Sequence, residues 1–507
     1  MQQSFRIVGV IVCAFVVTLL FHNQFIGLNL LLFEVIVIPW VVFTSNISFN
    51  RTSVIVSVSA VSLTAVFTVI TNTAFTLFMN FVSVLVLLGV LIYPEANFLI
   101  TNFILSALSI ITSPITFAKE LLVLRMGKSR IVPKYLRLFI ILLFPLVVVV
   151  AFISMYKSAN PIFNTLVDSV TSSVTTVFDA LFKNMDLSVV WTFIVGIVIS
   201  AGILLRVRKE FVIDYDKGAK FYLERRTAKT KKNFSMVSLR YENTAALFLF
   251  ITLTGIITVL NVLDIYWVWF NFEWKGQFLK TFVHEGTYVL ILSIIISIAL
   301  VLYYFRRNLN FYPNNTLLKR VVYIWLAQNA LLSVSVGIRN YWYIYYFSLA
   351  YKRIGVFVFL VLAVFCMYTI WVKVREQKSI FYLVKMNGLS LFIVLVVSSL
   401  WNWDSIIASY NFNNPNKSFL HLEYMVTLSD CTLPELDKSL PELDTIEKQQ
   451  YQKFQSLRYQ PMSAKEYHEI IQKRKTEFKS RWENQYWLSW NYPDYKAYQQ
   501  LYGNVTK

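Results

Sequence analysis

The sequence predicts an all-α membrane protein, a bundle of about 12 transmembrane helices followed by a small, mostly helical soluble tail. The first evidence is composition, because 57% of the 507 residues are apolar and only 15% are charged. Soluble domains carry about 25% charged residues. The second evidence is a series of long apolar runs that fill residues 6–401. Lipid offers the backbone no hydrogen bonds, so each run must satisfy its own polar groups as a helix.

We expect two regions, a transmembrane helical domain over residues 1–401 and an extracytoplasmic C-terminal domain over residues 402–507. The first apolar run lacks a small-residue cleavage site at its end, so we expect a retained helix and not a removed signal peptide. The predicted spans cover residues 7–22, 25–44, 53–72, 74–93, 97–118, 137–157, 188–207, 243–267, 282–304, 320–338, 354–373 and 382–401.

Four clusters of Lys and Arg predict the orientation of the bundle. The clusters occupy residues 119–137, 206–242, 305–320 and 373–378, and two predicted spans separate each cluster from the next. All four therefore fall on one face, and basic loops are retained in the cytoplasm. We expect the tail to lie outside the cytoplasm. The five N-terminal spans have few flanking charges and leave their own orientation open.

The net charge of +19 does not predict a nucleic-acid partner, because of where the charge lies. The tail holds 13 basic and 13 acidic residues, whereas residues 1–401 hold 34 and 15. The excess belongs to loops beside the membrane, where the orientation rule explains it. The expected partner is the lipid bilayer, and the tail is a candidate contact surface for a protein of the cell envelope.

Residues 161–182 predict an amphipathic helix on the outer surface. Apolar residues recur there at three-to-four spacing, and the opposite face includes Asp168 and Asp179. A polar face against lipid is costly, which favours an interfacial helix over a further span.

The tail shows two helix starts and an aromatic end. Pro434 and Pro441 each open the sequence Pro-Glu-Leu-Asp, which is typical of a first helical turn. Residues 463–485 have the composition of a charged helix. The aromatic residues between 487 and 502 either close a small core, which we favour, or rest on the membrane interface.

Ionisable residues inside or beside spans are the default functional candidates in a membrane protein. The candidates for ligand binding are Glu34, Asp264, His284, Glu285, Arg339, Lys352 and Arg353. All except Glu34 fall at the predicted outer edge of the bundle. Arg339 opposes the orientation rule there, and pairing it with Asp264 or Glu285 offsets a cost of about 2.5–3.5 kcal/mol for a charge at mid-bilayer. We therefore expect an outward-facing polar pocket between these helices.

Structural interpretations compete with this pocket. A buried ion pair can fix the register of two helices without a ligand, and long side chains at helix ends can extend to the lipid headgroups. Glu34 lies in mid-span near Pro39. There a proton or ion role and a hydrogen-bonded helix contact are both open.

The sequence lacks the common motifs for catalysis and cofactor binding. His284-Glu285 begins like the zinc motif HExxH, but position 288 is Tyr. The three cysteines form no CxxC, and GxxxxGK[ST] and GxGxxG do not occur. We expect no metal and no cofactor, and catalysis is not favoured, although a transferase that uses dispersed acids stays open.

Two segments carry a resemblance to known sequences, Asn261-Val-Leu-Asp-Ile-Tyr-Trp-Val-Trp-Phe270 and Phe282-Val-His-Glu-Gly-Thr-Tyr288. With shorter segments between 140 and 440, they resemble a bacterial multi-pass membrane family, frequent in Bacteroidota, that is catalogued only as a domain of unknown function. In one departure, the family usually shows Gly-Leu-Thr where this chain has Ser348-Leu349-Ala350. The resemblance implies a fold and a location in the bacterial inner membrane, and it implies no activity.

Three functions follow from these expectations. The first is a transporter or solute-binding protein whose pocket uses Asp264, Glu285 and Arg339 to contact a polar or charged ligand of unknown identity, with His284 titrating. The second is a non-catalytic envelope scaffold or sensor that binds its partner through the tail. The third is a membrane transferase for a lipid-linked substrate, with Glu285 or Asp264 as the base.

Overall fold

The structure, a computed structural model, is built mainly from helices. The residues that it describes are 2–45, 52–123, 125–126, 129–130, 149, 153, 163, 165–168, 187–225, 236–271, 286–306, 308–454 and 462–503. The predicted span over 137–157 and the predicted amphipathic helix over 161–182 lie outside the described residues, apart from a few single positions. His284 and Glu285 also lie outside them.

Within the described residues, the N-terminal half contains α1 (Gln2–Phe21), α2 (Leu28–Phe43), α3 (Thr52–Ile70), α4 (Ala74–Ile92), α5 (Leu99–Val123), α6 (Leu187–Leu205) and α7 (Glu210–Lys217). After α5, the short strands β1 (Arg125–Met126) and β2 (Ser129–Arg130) pair antiparallel.

Local sequence determines how this half begins its helices and packs them. The Thr73 hydroxyl accepts a hydrogen bond from the backbone N–H of Thr76, which caps the start of α4. At Gly89, α4 and α5 come into backbone contact, because a Cβ atom there would lie 1.9 Å from the Asn102 carbonyl oxygen. Glycine is therefore required at this crossing.

The C-terminal half of the bundle contains α8 (Met236–Asp264), α9 (Gly286–Tyr304), α10 (Thr316–Phe347), α11 (Tyr351–Glu376) and α12 (Ile380–Ser398). A π-helical segment, Ile265–Phe270, continues α8, and a 3₁₀ turn, Asn308–Phe311, precedes α10.

The end of α10 corrects one predicted boundary. The span predicted over 320–338 continues to Phe347, so Arg339 lies inside the helix and not at its end. The residues that follow Arg339 are mostly Tyr and Trp, which are side chains that favour the membrane interface. The chain stays helical through this aromatic segment. Their rings pack against each other, as Trp342 and Tyr346 do with centroids 6.3 Å apart.

Nine helices in the described part of the chain are long and apolar enough to cross a membrane, and two shorter apolar helices cover Arg6–Phe21 and Leu28–Phe43. The prediction of a multi-pass helical membrane protein is therefore confirmed. The number of 12 spans stays a prediction, because the span over 137–157 lies outside the described residues.

Three of the basic clusters meet at one face of the bundle, which we call the basic face. The backbone N–H of Ser379 donates to the Phe221 carbonyl oxygen at 2.8 Å. Lys373 Nζ donates to the Phe305 carbonyl oxygen at 2.8 Å. These bonds join the clusters at 206–242, 305–320 and 373–378. The fourth cluster, 119–137, lies mostly outside the described residues.

The tail lies against the opposite helix ends, which we call the tail face. The backbone N–H of Phe419 donates to the Tyr346 carbonyl oxygen at 2.9 Å, in the last turn of α10. The backbone N–H of Leu28 donates to the Trp490 carbonyl oxygen, also at 2.9 Å, at the start of α2. The tail thus contacts both halves of the bundle.

The tail consists of α13 (Trp403–Asn413), α14 (Leu422–Met425), α15 (Leu433–Leu436), α16 (Leu440–Phe454), α17 (Ala464–Asn484) and α18 (Tyr492–Tyr502). The helix starts predicted at Pro434 and Pro441 are confirmed as the first turns of α15 and α16.

These tail helices enclose a hydrophobic cluster of their own. Tyr467 and Phe478 are fully buried in it, and Tyr498 and Tyr502 pack against it. Trp487, in contrast, is 66% exposed beside the tail face. Tyr498 and Tyr502 therefore take the predicted core role, and the interfacial role of the other aromatic residues stays a prediction.

Candidate functional site

A buried ion pair joins α8 to α10 near the tail face. Arg339 Nη2 donates to Asp264 Oδ1, and these residues are only 5% and 3% exposed. Removing two charges from water costs several kcal/mol per ion unless the two charges attract each other and are hydrogen-bonded. The pair therefore attaches the last residue of α8 firmly to α10.

Two indole rings flank the ion pair along α10. Trp269 Nε1 donates to Ser335 Oγ at 3.1 Å, and Trp342 Nε1 donates to the Val268 carbonyl oxygen at 3.0 Å. These bonds fasten the π-helical segment to α10 on both sides of Arg339.

A carboxylate oxygen of the pair retains hydrogen-bonding capacity. Within the described residues, Asp264 Oδ2 is buried without a hydrogen-bond partner. A buried acceptor of this kind costs about 1–3 kcal/mol. Asp264 Oδ2 can thus accept a hydrogen bond from a further donor.

The first described residue of α9 also reaches this ion pair. A Cβ atom at Gly286 would lie 3.7 Å from Arg339 Nη1. Residues from α8, α9 and α10 therefore converge on Arg339. His284 and Glu285 precede Gly286 in the chain but lie outside the described residues, so their predicted part in the pocket remains a prediction.

A cavity of about 90 Å³ opens beside this cluster at the start of α11. Its lining includes Thr287, Tyr288, Asn340, Tyr343, Lys352 and Arg353. We call it the α11 cavity. Neither Arg339 nor Asp264 contributes to the lining, but Asn340, which does, directly follows Arg339 in α10.

The Arg353 side chain is held in place at this cavity. Its Nη1 donates to the Phe347 carbonyl oxygen at 2.6 Å, and its guanidinium carbon lies 4.3 Å from the centre of the Tyr343 ring. Asn340 Nδ2 donates to the Arg353 carbonyl oxygen at 2.9 Å. Lys352, in contrast, is exposed.

Positive charge accumulates at the α11 cavity. Lys352 and Arg353 occupy the first turn of α11, which contains no acidic residue, and Ala350 at the N-cap makes no side-chain hydrogen bond. A helix N-terminus is itself positive, so cations there are unfavourable unless an anion is near. In the described part of the chain, neither Lys352 nor Arg353 forms an ion pair with an acid.

The tail holds the residues that precede this cavity. The backbone N–H of Leu349 donates to Asn411 Oδ1 at 2.7 Å, and Asn411 Nδ2 donates to the Leu349 carbonyl oxygen at 2.9 Å. The Tyr351 hydroxyl donates to Asp404 Oδ1 at 2.7 Å. The position of the start of α11 therefore depends on the tail.

Sequence reasoning identified Lys352 and Arg353 at this site but missed Asn340 and Tyr343. A usable signal was present, because Tyr343 follows Arg339 by four residues and therefore shares its helix face. The range predicted for α10 ended at 338, so these residues were treated as loop.

Glu34 lies apart from the tail-face charges, inside the N-terminal half. It is 5% exposed in α2, and Asn80 Nδ2 donates to its Oε2 at 3.2 Å. Asn80 Nδ2 also lies 3.3 Å from Thr64 Oγ1, so α2, α3 and α4 share one polar contact.

Comparison with known proteins gives a family and no activity. No curated protein and no solved structure matches the chain. A family model described as "Domain of unknown function (DUF4153)" matches residues 56–439, which is more than half of the chain and includes both the α11 cavity and the ion pair. The resemblance noted in the sequence is thus confirmed, and the chain belongs to the DUF4153 family.

Proposed function

We propose that this protein is a solute-binding membrane protein, and that the α11 cavity recognises an anionic group such as a phosphate or a carboxylate. The observation that carries the proposal is the pair of cations, Lys352 and Arg353, in a helix first turn where no described acid pairs with them. An anion there is favoured by both side chains and by the helix dipole.

The size of the cavity supports recognition of one group and not of a whole large molecule. Drug-sized ligands occupy roughly 300–1,000 Å³, whereas the α11 cavity measures about 90 Å³. We propose that the charged end of the ligand enters the cavity and that the rest lies outside it.

The neighbouring groups have distinct roles in this proposal. Arg353 is positioned by Tyr343 and the Phe347 carbonyl oxygen, whereas the exposed Lys352 completes the site when the anion binds. The Arg339–Asp264 pair positions α10 against α8. The predicted contacts of His284 and Glu285 with the ligand remain part of the proposal.

The anionic group can come from a free solute or from a lipid headgroup, because the cavity lies at the edge of the bundle. One arm of the test adds inorganic phosphate to the full-length protein in nanodiscs of zwitterionic lipid. The other arm replaces part of that lipid with phosphatidylglycerol and adds no phosphate. The thermal unfolding midpoint is measured in both.

A rise of the midpoint with phosphate indicates a solute site, and a rise only with phosphatidylglycerol indicates a headgroup site. We expect Arg353→Gln to weaken either response about tenfold or more, because a charge-assisted hydrogen bond contributes roughly 1.5–3 kcal/mol. Lys448→Gln, at an exposed residue of the tail, is the matched control and should leave the response unchanged. Equal responses of Arg353→Gln and the unmodified chain contradict the proposal.

The second candidate function is an envelope scaffold or sensor. It is supported by the closed Arg339–Asp264 pair and by the contacts that Asn411 makes with Leu349. A scaffold needs a rigid connection between tail and bundle and no ligand. Chemical cross-linking in cells followed by purification tests it, since a partner that cross-links to the tail in the absence of any anion response favours this function.

A further inference from the structure

A single carboxyl group lies in a polar layer inside the N-terminal half of the bundle. Three polar residues each lie six residues from the tail-face end of their own helix. These are Glu34 after Leu28 at the start of α2, Thr64 before Ile70 at the end of α3, and Asn80 after Ala74 at the start of α4. At a rise of about 1.5 Å per residue, this puts all three roughly 9 Å below the tail face. They form one layer, which we call the Glu34 layer.

No charge in the neighbouring helices balances Glu34. Asn80 is its hydrogen-bond partner, and no described cation contributes to its electrostatic surroundings. α3, α4 and the segment Trp487–Ser489, which pack around α2, contain no titratable side chain. α1 contains Arg6, near its basic-face end, and the buried thiol of Cys13. A bare carboxylate in this position is strongly disfavoured.

The layer is unsuited to a metal cation. Asn80 presents its amide nitrogen, and not its oxygen, to Glu34. The Thr64 hydroxyl donates to the Ala60 carbonyl oxygen at 2.8 Å. Hard cations such as Ca²⁺ take six to eight oxygen ligands, and this arrangement leaves little more than the carboxylate itself. A proton needs only one carboxylate oxygen.

Four buried threonine side chains lie between the Glu34 layer and the tail face. Thr76 on α4 lies one helical turn closer to the tail face than Asn80. Thr68 on α3 lies one turn closer to it than Thr64, and the Thr68 and Thr76 side chains are fully buried. Thr76 Oγ1 lies 3.0 Å from Thr71 Oγ1. We call these side chains, with Thr73 at 2.8 Å from Thr76, the threonine row.

The threonine row ends beneath a cavity of about 520 Å³ between the bundle and the tail, which we call the large cavity. Asn72 and Leu77 contribute to its floor, and Asp430, Arg474 and Arg481 contribute from the tail. The arginines are paired there, since Arg474 Nη2 lies 2.6 Å from Asp430 Oδ1 and Arg481 Nη1 lies 3.0 Å from Asp430 Oδ2. This cavity is lined by acidic and basic groups together, so it can admit water and protons.

We propose that Glu34 is a reversible proton-binding site of the membrane interior, loaded from the tail face through the threonine row. A proton from water in the large cavity passes along the hydroxyls and binds a Glu34 carboxylate oxygen, and it leaves by the same route. Asn80 stabilises the layer when Glu34 is charged. This proposal is independent of the α11 cavity, which lies in other helices.

The first experiment uses dicyclohexylcarbodiimide, which reacts with protonated carboxyl groups in apolar surroundings, on the full-length protein in nanodiscs. Mass spectrometry should detect an adduct on Glu34 that decreases as pH rises and is unaffected by sodium chloride. Glu34→Gln should lose the adduct, and Glu95→Gln, at an exposed carboxyl, should retain it. Protection by sodium ions, or labelling that does not change with pH, overturns the proposal.

The second experiment measures the same proton directly by infrared difference spectroscopy. A carbonyl band of a protonated carboxyl should be absent in Glu34→Gln and should shift in deuterated water. The shift should develop more slowly in Thr76→Val, which lacks the hydroxyl, and at the normal rate in Thr112→Val of α5. If the band is missing in the unmodified chain, or the exchange rate is equal in both variants, the proposal is wrong.

Discussion

The Ser348 hydroxyl donates to the Phe419 carbonyl oxygen at 2.8 Å and thereby holds a strained backbone between α10 and α11. Ser348 has φ 73° and ψ 170°, a region adopted almost only by glycine. The same hydroxyl lies 3.0 Å from Ser418 Oγ. The chain supports this conformation with hydrogen bonds to the tail.

Ser348→Ala and Ser348→Gly should separate strain from hydrogen bonding. The Ala variant keeps the strain and loses the bonds, whereas the Gly variant loses both. Because the conformation costs about 1–3 kcal/mol for a residue with Cβ, we expect Ser348→Gly to be more stable than Ser348→Ala by roughly 1–2 kcal/mol. Unfolding midpoints of the purified chain measure the difference.

The control for this comparison is Ser409, an exposed residue within α13. In a helix interior, Gly is less favourable than Ala by about 1 kcal/mol. At Ser409, the Ala variant should therefore be more stable than the Gly variant, which is the reverse of the order expected at Ser348. The same order at both positions would show that the backbone at Ser348 is not strained.

Ala350→Thr should stabilise the start of α11. Ala350 has φ −152° and ψ 159°, the extended conformation of an N-cap residue, and it makes no side-chain cap. A Thr hydroxyl there can accept from the backbone N–H groups of Lys352 or Arg353, which contributes about 1 kcal/mol.

Ala350→Val is the matched control, because Val has the shape of Thr without its hydroxyl. We expect it to show no gain in the unfolding midpoint. An equal gain in both variants would assign the effect to side-chain volume and would contradict the capping explanation.

Arg339→Met should destabilise the protein by about 3–5 kcal/mol, because it leaves the buried Asp264 carboxylate without its cation. Asp264→Leu should have a similar effect. The double variant should recover most of the loss, since neither charge is then buried alone. Unfolding midpoints of all four proteins form the double-mutant cycle.

The corresponding surface control is Lys465→Met, at an ion pair with Glu469 that is mostly exposed and has an N–O distance of 4.0 Å. Exposed ion pairs contribute little to stability, so the unfolding midpoint of Lys465→Met should equal that of the unmodified chain. If the losses of the two buried single variants simply add in the double variant, Arg339 and Asp264 do not act as a pair.

The residues of this site show what sequence reasoning could and could not predict. The pairing of Arg339 with Asp264 was predictable, because an arginine at the outer edge of a bundle needs an acid nearby. The conformation of Ser348 was not, since it depends on Phe419 of the tail, which is distant in sequence. Mean hydropathy falls after residue 338, so the predicted span ends there. α10 nevertheless continues through Tyr343, because aromatic residues can extend a helix into the membrane interface.

Cys431 should react slowly with thiol reagents, although it lines the large cavity at the tail face. Burial raises the pKa of its thiol to about 11, despite hydrogen bonds with Ser429 and Asn402. The thiol is neutral below that pH, and only the thiolate is the nucleophile. Compared with a free cysteine of pKa about 8.5, the thiolate fraction at neutral pH is lower by roughly 300-fold.

The measurement is the rate of maleimide labelling of Cys431 as a function of pH. A cysteine introduced at the exposed position 409, Ser409→Cys, provides the reference rate on the same tail. We expect the Cys431 rate to keep rising with pH beyond the point at which the reference rate levels off. Parallel pH profiles at both positions would rule out a raised pKa.

The orientation of the bundle is tested by labelling two exposed lysine positions replaced by cysteine, Lys220→Cys at the basic face and Lys496→Cys in the tail. Basic loops are retained in the cytoplasm, and Lys220 belongs to a cluster that meets two others on one face. A membrane-impermeant maleimide added to intact cells, with the outer membrane permeabilised, should therefore label position 496 and spare position 220.

Labelling of both positions should follow once the inner membrane is opened, which verifies that each cysteine is reactive. If position 220 is labelled first and position 496 is protected, the tail lies in the cytoplasm, and a route for protons from the tail face to Glu34 would start inside the cell.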